Sequence, residues 1–119
     1  MQELANGFEI FIKLIACIKN LNIDYEYAIE NNGTITCWTE TPHIIEDAPT
    51  IEEGIALLLK SLRERAYDYM NEFDLWLKGC PEELPYIIKI ILSGDRELES
   101  SLELHKKVEE PGKFYPDSS

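Results

Sequence analysis

Three observations predict an α+β fold for this chain. Hydrophobic spacing changes from period two to period 3.6 across Pro49, an Asn31-Asn32-Gly33 turn signal separates two strand-like runs, and runs with three-and-four spacing stand on either side. The predicted order is an N-terminal helix, then a two- or three-stranded antiparallel sheet built on a hairpin at about 23–40. A long helix at about 51–78 and C-terminal helices follow. At 119 residues the chain has the size of one domain. Residues 1–110 are expected to form it, with 111–119 as a flexible tail.

The first helix is expected over residues 6–20. Asn6 and Glu9 have capping-box spacing, and Phe8, Phe11, Leu14, Ile15, Ile18 and Leu21 define a core face. Ile10 and Ile12 lie off that face, so the helix is either deeply buried or covered by a second subunit. Ile23, Tyr25, Tyr27 and Ile29 then alternate with Asp24, Glu26, Ala28 and Glu30, the pattern of a half-buried strand. Gly33 supplies the positive φ of the turn, and residues 34–40, rich in β-branched and aromatic side chains, form the return strand. His43 to Glu46 can add a third, edge strand after Thr41-Pro42.

Pro49-Thr50-Ile51-Glu52-Glu53 is a strong helix start, with Thr50 as the cap and two acids near the positive helix end. Ile51, Ile55, Leu58, Leu62, Ala66, Tyr69, Phe73 and Trp76 fall about one per turn on a single face, until Gly79 and Pro81 stop the pattern. A straight helix of that length would run roughly 42 Å, more than the diameter of a compact domain this size. It must protrude, bend or break, and residues 69–72 are the place for it. Pro85 suits the first turn of a further helix through Tyr86 to Leu92, although the isoleucine run also fits a buried strand. Asp95 is positioned to cap a terminal amphipathic helix carrying Leu98, Leu102 and Val108.

The charge balance narrows function. Eleven Lys and Arg against 23 Asp and Glu leave a net charge of −12. Such a surface repels phosphate backbones and anionic headgroups, so neither direct nucleic-acid nor membrane binding is expected. It favours a basic protein partner, or serves solubility alone. Cys17, Cys37 and Cys80 are odd in number and widely spaced, which fits a reducing cytoplasm. Residues 8–18 are apolar but too short to span a bilayer and carry no cleavage site, so no signal peptide is read there.

No catalytic constellation, metal site or cofactor loop emerges. His43 and His105 are the only histidines and lack partners at ligand spacing; the glycines are isolated, and no serine sits in a nucleophile elbow. One stripe stands out. Glu64, Asp68 and Glu72 recur every four residues, where like charges cost a few tenths of a kcal/mol per pair, and Tyr67, Met70 and Asn71 flank them. The stripe reads as a solvated face or as a docking surface for a cationic partner. Ile10, Ile12, Leu57 and Leu77 fall off the core faces, which implies at least a dimer.

The order of these pieces resembles the small bacterial antitoxins of the Phd/YefM and RelB-type toxin–antitoxin systems. The resemblance runs from the hairpin Glu30-Asn31-Asn32-Gly33-Thr34 through Ala48-Pro49-Thr50-Ile51-Glu52-Glu53. It continues in the helical segment Ala66 to Phe73 and ends at Leu84-Pro85-Tyr86-Ile87-Ile88. The hairpin with its Thr-x-Glu-Glu helix start is also similar to the HicB antitoxin fold, a small sheet packed on one helix. Both groups carry a DNA-binding segment, and no basic segment here matches it. The resemblance therefore implies toxin neutralisation rather than operator binding. The expected function is a cytoplasmic antitoxin-like protein that occludes a basic ribonuclease toxin without catalysis; an acidic adaptor or nucleic-acid mimic that blocks a DNA-binding protein is the alternative.

Overall fold

The computed structural model describes residues 2–108, with side chains from 6 to 104. In chain order the elements are α1 (Gln2–Lys19), β1 (Ile23–Ile29), β2 (Ile35–Thr39), β3 (Ile44–Ala48), α2 (Ile51–Asn71) and α3 (Phe73–Gly79). A 3-10 turn (Pro81–Glu83), α4 (Leu84–Leu92), α5 (Asp95–Ser101) and β4 (Leu102–Val108) complete the series. The hairpin forms in the expected register: Tyr25 pairs with Thr39, Tyr27 with Cys37 and Ile29 with Ile35, all antiparallel. Gly33 closes it at φ 87°, a conformation that glycine adopts without steric cost. The edge strand predicted at His43 to Glu46 is β3, antiparallel to β2.

Strand alternation gives the sheet two chemically different faces. Ile35, Cys37 and Thr39 point to the side that α2 covers. There the α2 backbone approaches so closely that a Cβ added to Gly54 would lie 2.9 Å from the Cys37 sulfur. Thr50 caps α2 as expected, its hydroxyl accepting from the Glu53 amide at 3.2 Å. Gly54, Leu58, Leu62, Ala66 and Tyr69 are the buried residues of this helix, and Leu62, Ala66 and Tyr69 join Ile23, Ile87, Ile90 and Leu98 in one core cluster.

Of the three outcomes open to the long helix it takes the break, inside residues 69–72. Glu72 leaves helical geometry (φ −126°, ψ 52°), so the single helix expected at 51–78 is instead α2 followed by α3. The turn folds Phe73 and Trp76 back onto Tyr69, edge-on at 6.0 Å and stacked at 5.9 Å between ring centres. Pro85 sits in the first turn of α4, which settles residues 86–92 as helix. The last carbonyls of α4 are satisfied from α2: the Arg63 guanidinium donates to Ile90 O at 2.5 Å and Ser93 O at 2.7 Å. Lys89, almost fully buried on this otherwise apolar helix, donates its ammonium to the Lys19 carbonyl at the C-terminal end of α1.

Four expectations need correction. The terminal helix predicted to carry Leu98, Leu102 and Val108 ends at Ser101, and Leu102–Val108 is β4, so His105 lies in a strand and not on a late helix. The sheet accordingly has four strands in the order β3-β2-β1-β4, with β4 parallel to β1. The free edge of β1 would otherwise expose unpaired backbone beside the fully buried Ile23, and a strand there satisfies both. Asn6 is no cap, because α1 begins at Gln2. Gly94, not Asp95, is the α5 cap, and the Asp95 carboxylate instead meets Arg63 at 3.0 Å. The expected tail at 111–119 lies outside the described residues.

The molecule is elongated. Its radius of gyration is 17.1 Å and its extents 63 × 28 × 24 Å, against about 13.5 Å for a compact chain of this length. Helix α1 contributes to this. Every residue from Asn6 to Leu14 is exposed, so the core face expected at Phe8, Phe11 and Leu14 is not buried by this chain; among the described side chains of α1 only Ile15 and Ile18, next to its C-terminal end, are covered to any degree.

Candidate functional site

Burial of Leu58, Leu62, Ala66 and Tyr69 turns the opposite side of α2 to solvent, and the acidic stripe lies there. Glu64, Asp68 and Glu72 are all exposed. Tyr67 is 70% and Met70 49% exposed. Glu64, Tyr67 and Asp68 line one open recess of about 480 Å³ together with Arg63. Glu64 and Asp68 also border a second recess, about 280 Å³, with His43, Ile45, Glu46 and Arg65. Of the six residues singled out in the sequence, the fold thus gathers three. Met70, Asn71 and Glu72 are exposed farther along, at the end of α2 and at the break, and line neither recess.

A second acidic surface was not foreseen. The sheet face away from α2 carries Asp24, Glu26 and Asp47, flanked by Glu30 and Glu40. A cleft of about 380 Å³ opens on it, lined by Asn22, Asp24, Glu26, Trp38, Glu40, Thr41 and Tyr86. The Trp38 indole donates to Glu26 Oε2 at 2.8 Å, so this carboxylate is fixed against an aromatic wall. At the hairpin end the Thr36 hydroxyl lies 2.7 Å from Asp47 and 3.0 Å from Glu30, and its single proton serves one carboxylate at a time. Carboxylates beside an indole and a phenol suit a guanidinium or ammonium group. The alternation of Asp24 and Glu26 was visible in the sequence, but Trp38 figured there only as an aromatic residue of the return strand, and Tyr86 arrives from α4.

The described side chains place Cys80, Glu82 and Glu83 with ligand atoms within 4.8 Å of one another. Both Glu83 oxygens already accept from Arg65, at 2.9 and 2.8 Å, so the group is built around an ion pair. Cys37 is fully buried, and burial, with Glu46 and Asp47 nearby, pushes its thiol up to about 11. A thiol held protonated in this way is a poor nucleophile. No helix among the described residues is long and apolar enough to cross a membrane.

A PHD-like family model, described as the antitoxin of toxin–antitoxin, RelE/RelB, TA system, matches residues 8–104. The chain belongs to this antitoxin family. Its fold is similar to a crystal structure from Syntrophomonas wolfei subsp. wolfei, described as the antitoxin part of a proposed toxin/antitoxin system. That likeness has a TM-score of 0.71 at 22% identity and covers 91% of this chain and 96% of that one. No curated protein matches the chain. The match spans α1 from Phe8, the sheet and α2, so both acidic surfaces of the antitoxin lie within it.

Proposed function

We propose that this antitoxin neutralises a basic ribonuclease toxin by occupying its cationic surface, with no catalysis of its own. The observation that carries the reading is the exposed stripe of Glu64, Asp68 and Glu72, with Tyr67 and Met70 open beside it. The spacing costs the helix stability, which a merely solvated face does not require. A ribonuclease needs positive charge to hold RNA, and a surface of net −12 is complementary to it. Aligned carboxylates steer the encounter, while Tyr67 and Met70 provide apolar contact once water leaves. The antitoxin works in the cytoplasm and as a homo-oligomer, and does not itself bind nucleic acid.

The test is co-expression with the product of the adjacent gene. Growth rescue and co-purification by the wild-type chain, lost when Asp68 and Glu72 are reversed to Lys, support the reading. Rescue by the reversed variant equal to wild type, with unchanged binding of the purified proteins at low salt, refutes the assignment of the stripe.

A further inference from the structure

The most conspicuous unexplained feature is α1. Phe8, Ile10, Phe11, Ile12 and Leu14 stand in water at 51–66% exposure, on more than one side of the helix. Together they present about 600 Å² of largely apolar surface, the upper end of what a monomer leaves open. We propose that α1 is a self-association helix, packing side by side and antiparallel with α1 of a second copy of this chain. The proposal rests on the homo-oligomer reading above and is independent of the toxin-facing stripe.

Two observations select a second copy as the occupant. The first is charge. The chain carries −12 overall, yet α1 is neutral, Glu3 and Glu9 being balanced by Lys13 and Lys19. The whole net charge therefore sits on the rest of the chain, so contact through α1 avoids most of the repulsion between two copies, and a basic partner gains nothing electrostatic from a neutral helix. The second is area. A symmetric pair buries the patch from both copies, at most about 1,200 Å² in total where the two helices cover it fully, which is the lower limit for a stable protein interface.

Charge also fixes the orientation. The acidic body is joined to the C-terminal end of α1, where the Lys89 ammonium holds the Lys19 carbonyl. A parallel pair would set two acidic bodies side by side. An antiparallel pair places them at opposite ends of a helix about 27 Å long, well beyond the roughly 8 Å over which salt screens charge. It also opposes the two helix dipoles favourably.

The experiment is sedimentation of the full chain, wild type against the Ile10→Asp/Phe11→Asp variant. The wild type is expected to be a dimer at about 10 µM, and the variant to dissociate with a constant raised roughly 100-fold or more. Near-ultraviolet circular dichroism of Trp38 and Trp76 is expected to be unchanged, showing that the body still folds. Orientation is read from Cys17, which is exposed. In an antiparallel pair centred on Phe11 the two Cys17 residues stand about 18 Å apart, whereas a parallel pair brings them together. Oxidised wild type is therefore expected to form no Cys17 cross-link, while Phe11→Cys in a Cys17→Ala background cross-links readily. A monomeric wild type, a variant that stays dimeric, or rapid Cys17 cross-linking overturns the proposal. A monomeric wild type that loses its toxin on the same substitutions assigns α1 to the toxin instead. Reversal of Asp68 and Glu72 leaves the dimer intact, so failure of the toxin reading is seen separately.

Discussion

Arg65 on α2 and Glu83 in the 3-10 turn meet in a two-point hydrogen bond, Nε to Oε1 at 2.9 Å and Nη2 to Oε2 at 2.8 Å. The carboxylate side chain is only 5% exposed and the guanidinium 21%. The same guanidinium lies over the Trp76 ring, 4.5 Å from its centre. Trp76 in turn stacks on Tyr69, whose hydroxyl donates to the Cys80 carbonyl at 2.9 Å. One side chain thereby ties α2, α3 and the turn before α4 into a fixed corner. Its hydrogen bond to Glu83 is the main reason the Arg65 guanidinium titrates above its usual range.

Glu83→Ala is expected to destabilise the protein by about 2–4 kcal/mol, since it leaves a half-buried cation without its partner. Arg65→Lys keeps the charge but loses the fork and the flat contact with Trp76, for a loss of about 1–2 kcal/mol. Urea denaturation followed by tryptophan fluorescence measures both. A loss below about 0.5 kcal/mol for Glu83→Ala would show that the pair contributes no more than a surface ion pair.

Gly54→Ala is expected to cost about 1–2 kcal/mol despite the better helix propensity of alanine, because the new Cβ meets the Cys37 sulfur at 2.9 Å. In a Cys37→Ala background that obstacle is gone, and the same change becomes neutral or stabilising by up to about 1 kcal/mol. A double-mutant cycle in urea checks the reversal of sign.

Alkaline stability provides a third check. The Cys37 thiol is raised from 9.0 to about 11 in the folded protein. Above pH 9 the unfolded chain gives up this proton and the folded chain keeps it, so stability falls as pH rises. The contribution is fully present below pH 9 and is lost by about pH 11, at up to about 1.4 kcal/mol per pH unit. Burial raises the Tyr25 and Tyr69 phenols too, so some slope persists in Cys37→Ala. The measured quantity is the difference in slope between the two proteins. At pH 8 iodoacetamide is expected to modify the exposed Cys17 and to leave Cys37 unmodified in the native state.

Reversing Asp68 and Glu72 to Lys is expected to leave the isolated antitoxin as stable as before or a few tenths of a kcal/mol more so, because the like-charge repulsion on α2 is removed. Association with the toxin is expected to slow, with the difference shrinking as salt rises. Thermal melts and stopped-flow binding at two ionic strengths give the pair of measurements. Reduced thermal stability would mean that these carboxylates hold structural bonds.

Elements whose signals are local were legible in the order of residues alone. Gly33 and its two asparagines set the hairpin, and Thr50 and the acids after it set the start of α2, each within a few residues; Pro85 suited a helix start but left residues 86–92 open to a buried strand. The length of the 51–78 pattern marked residues 69–72 as the place to protrude, bend or break, and the packing of Phe73 and Trp76 on Tyr69 made it a break at Glu72. The acidic stripe was legible as spacing along one helix. Features that depend on partners far apart in the chain were settled by packing. Leu102–Val108 has apolar positions that suit a helix or a strand, and the unpaired edge of β1 chose the strand. The cleft at Trp38 required Tyr86 to arrive from α4, and Glu83 became half of an ion pair only when the corner at Trp76 brought Arg65 to it. The apolar surface of α1 could be read in the sequence, but whether its own body covered it could not. Periodicity says which side of an element avoids water, and the packing of the other elements decides whether anything in the same chain is there to meet it.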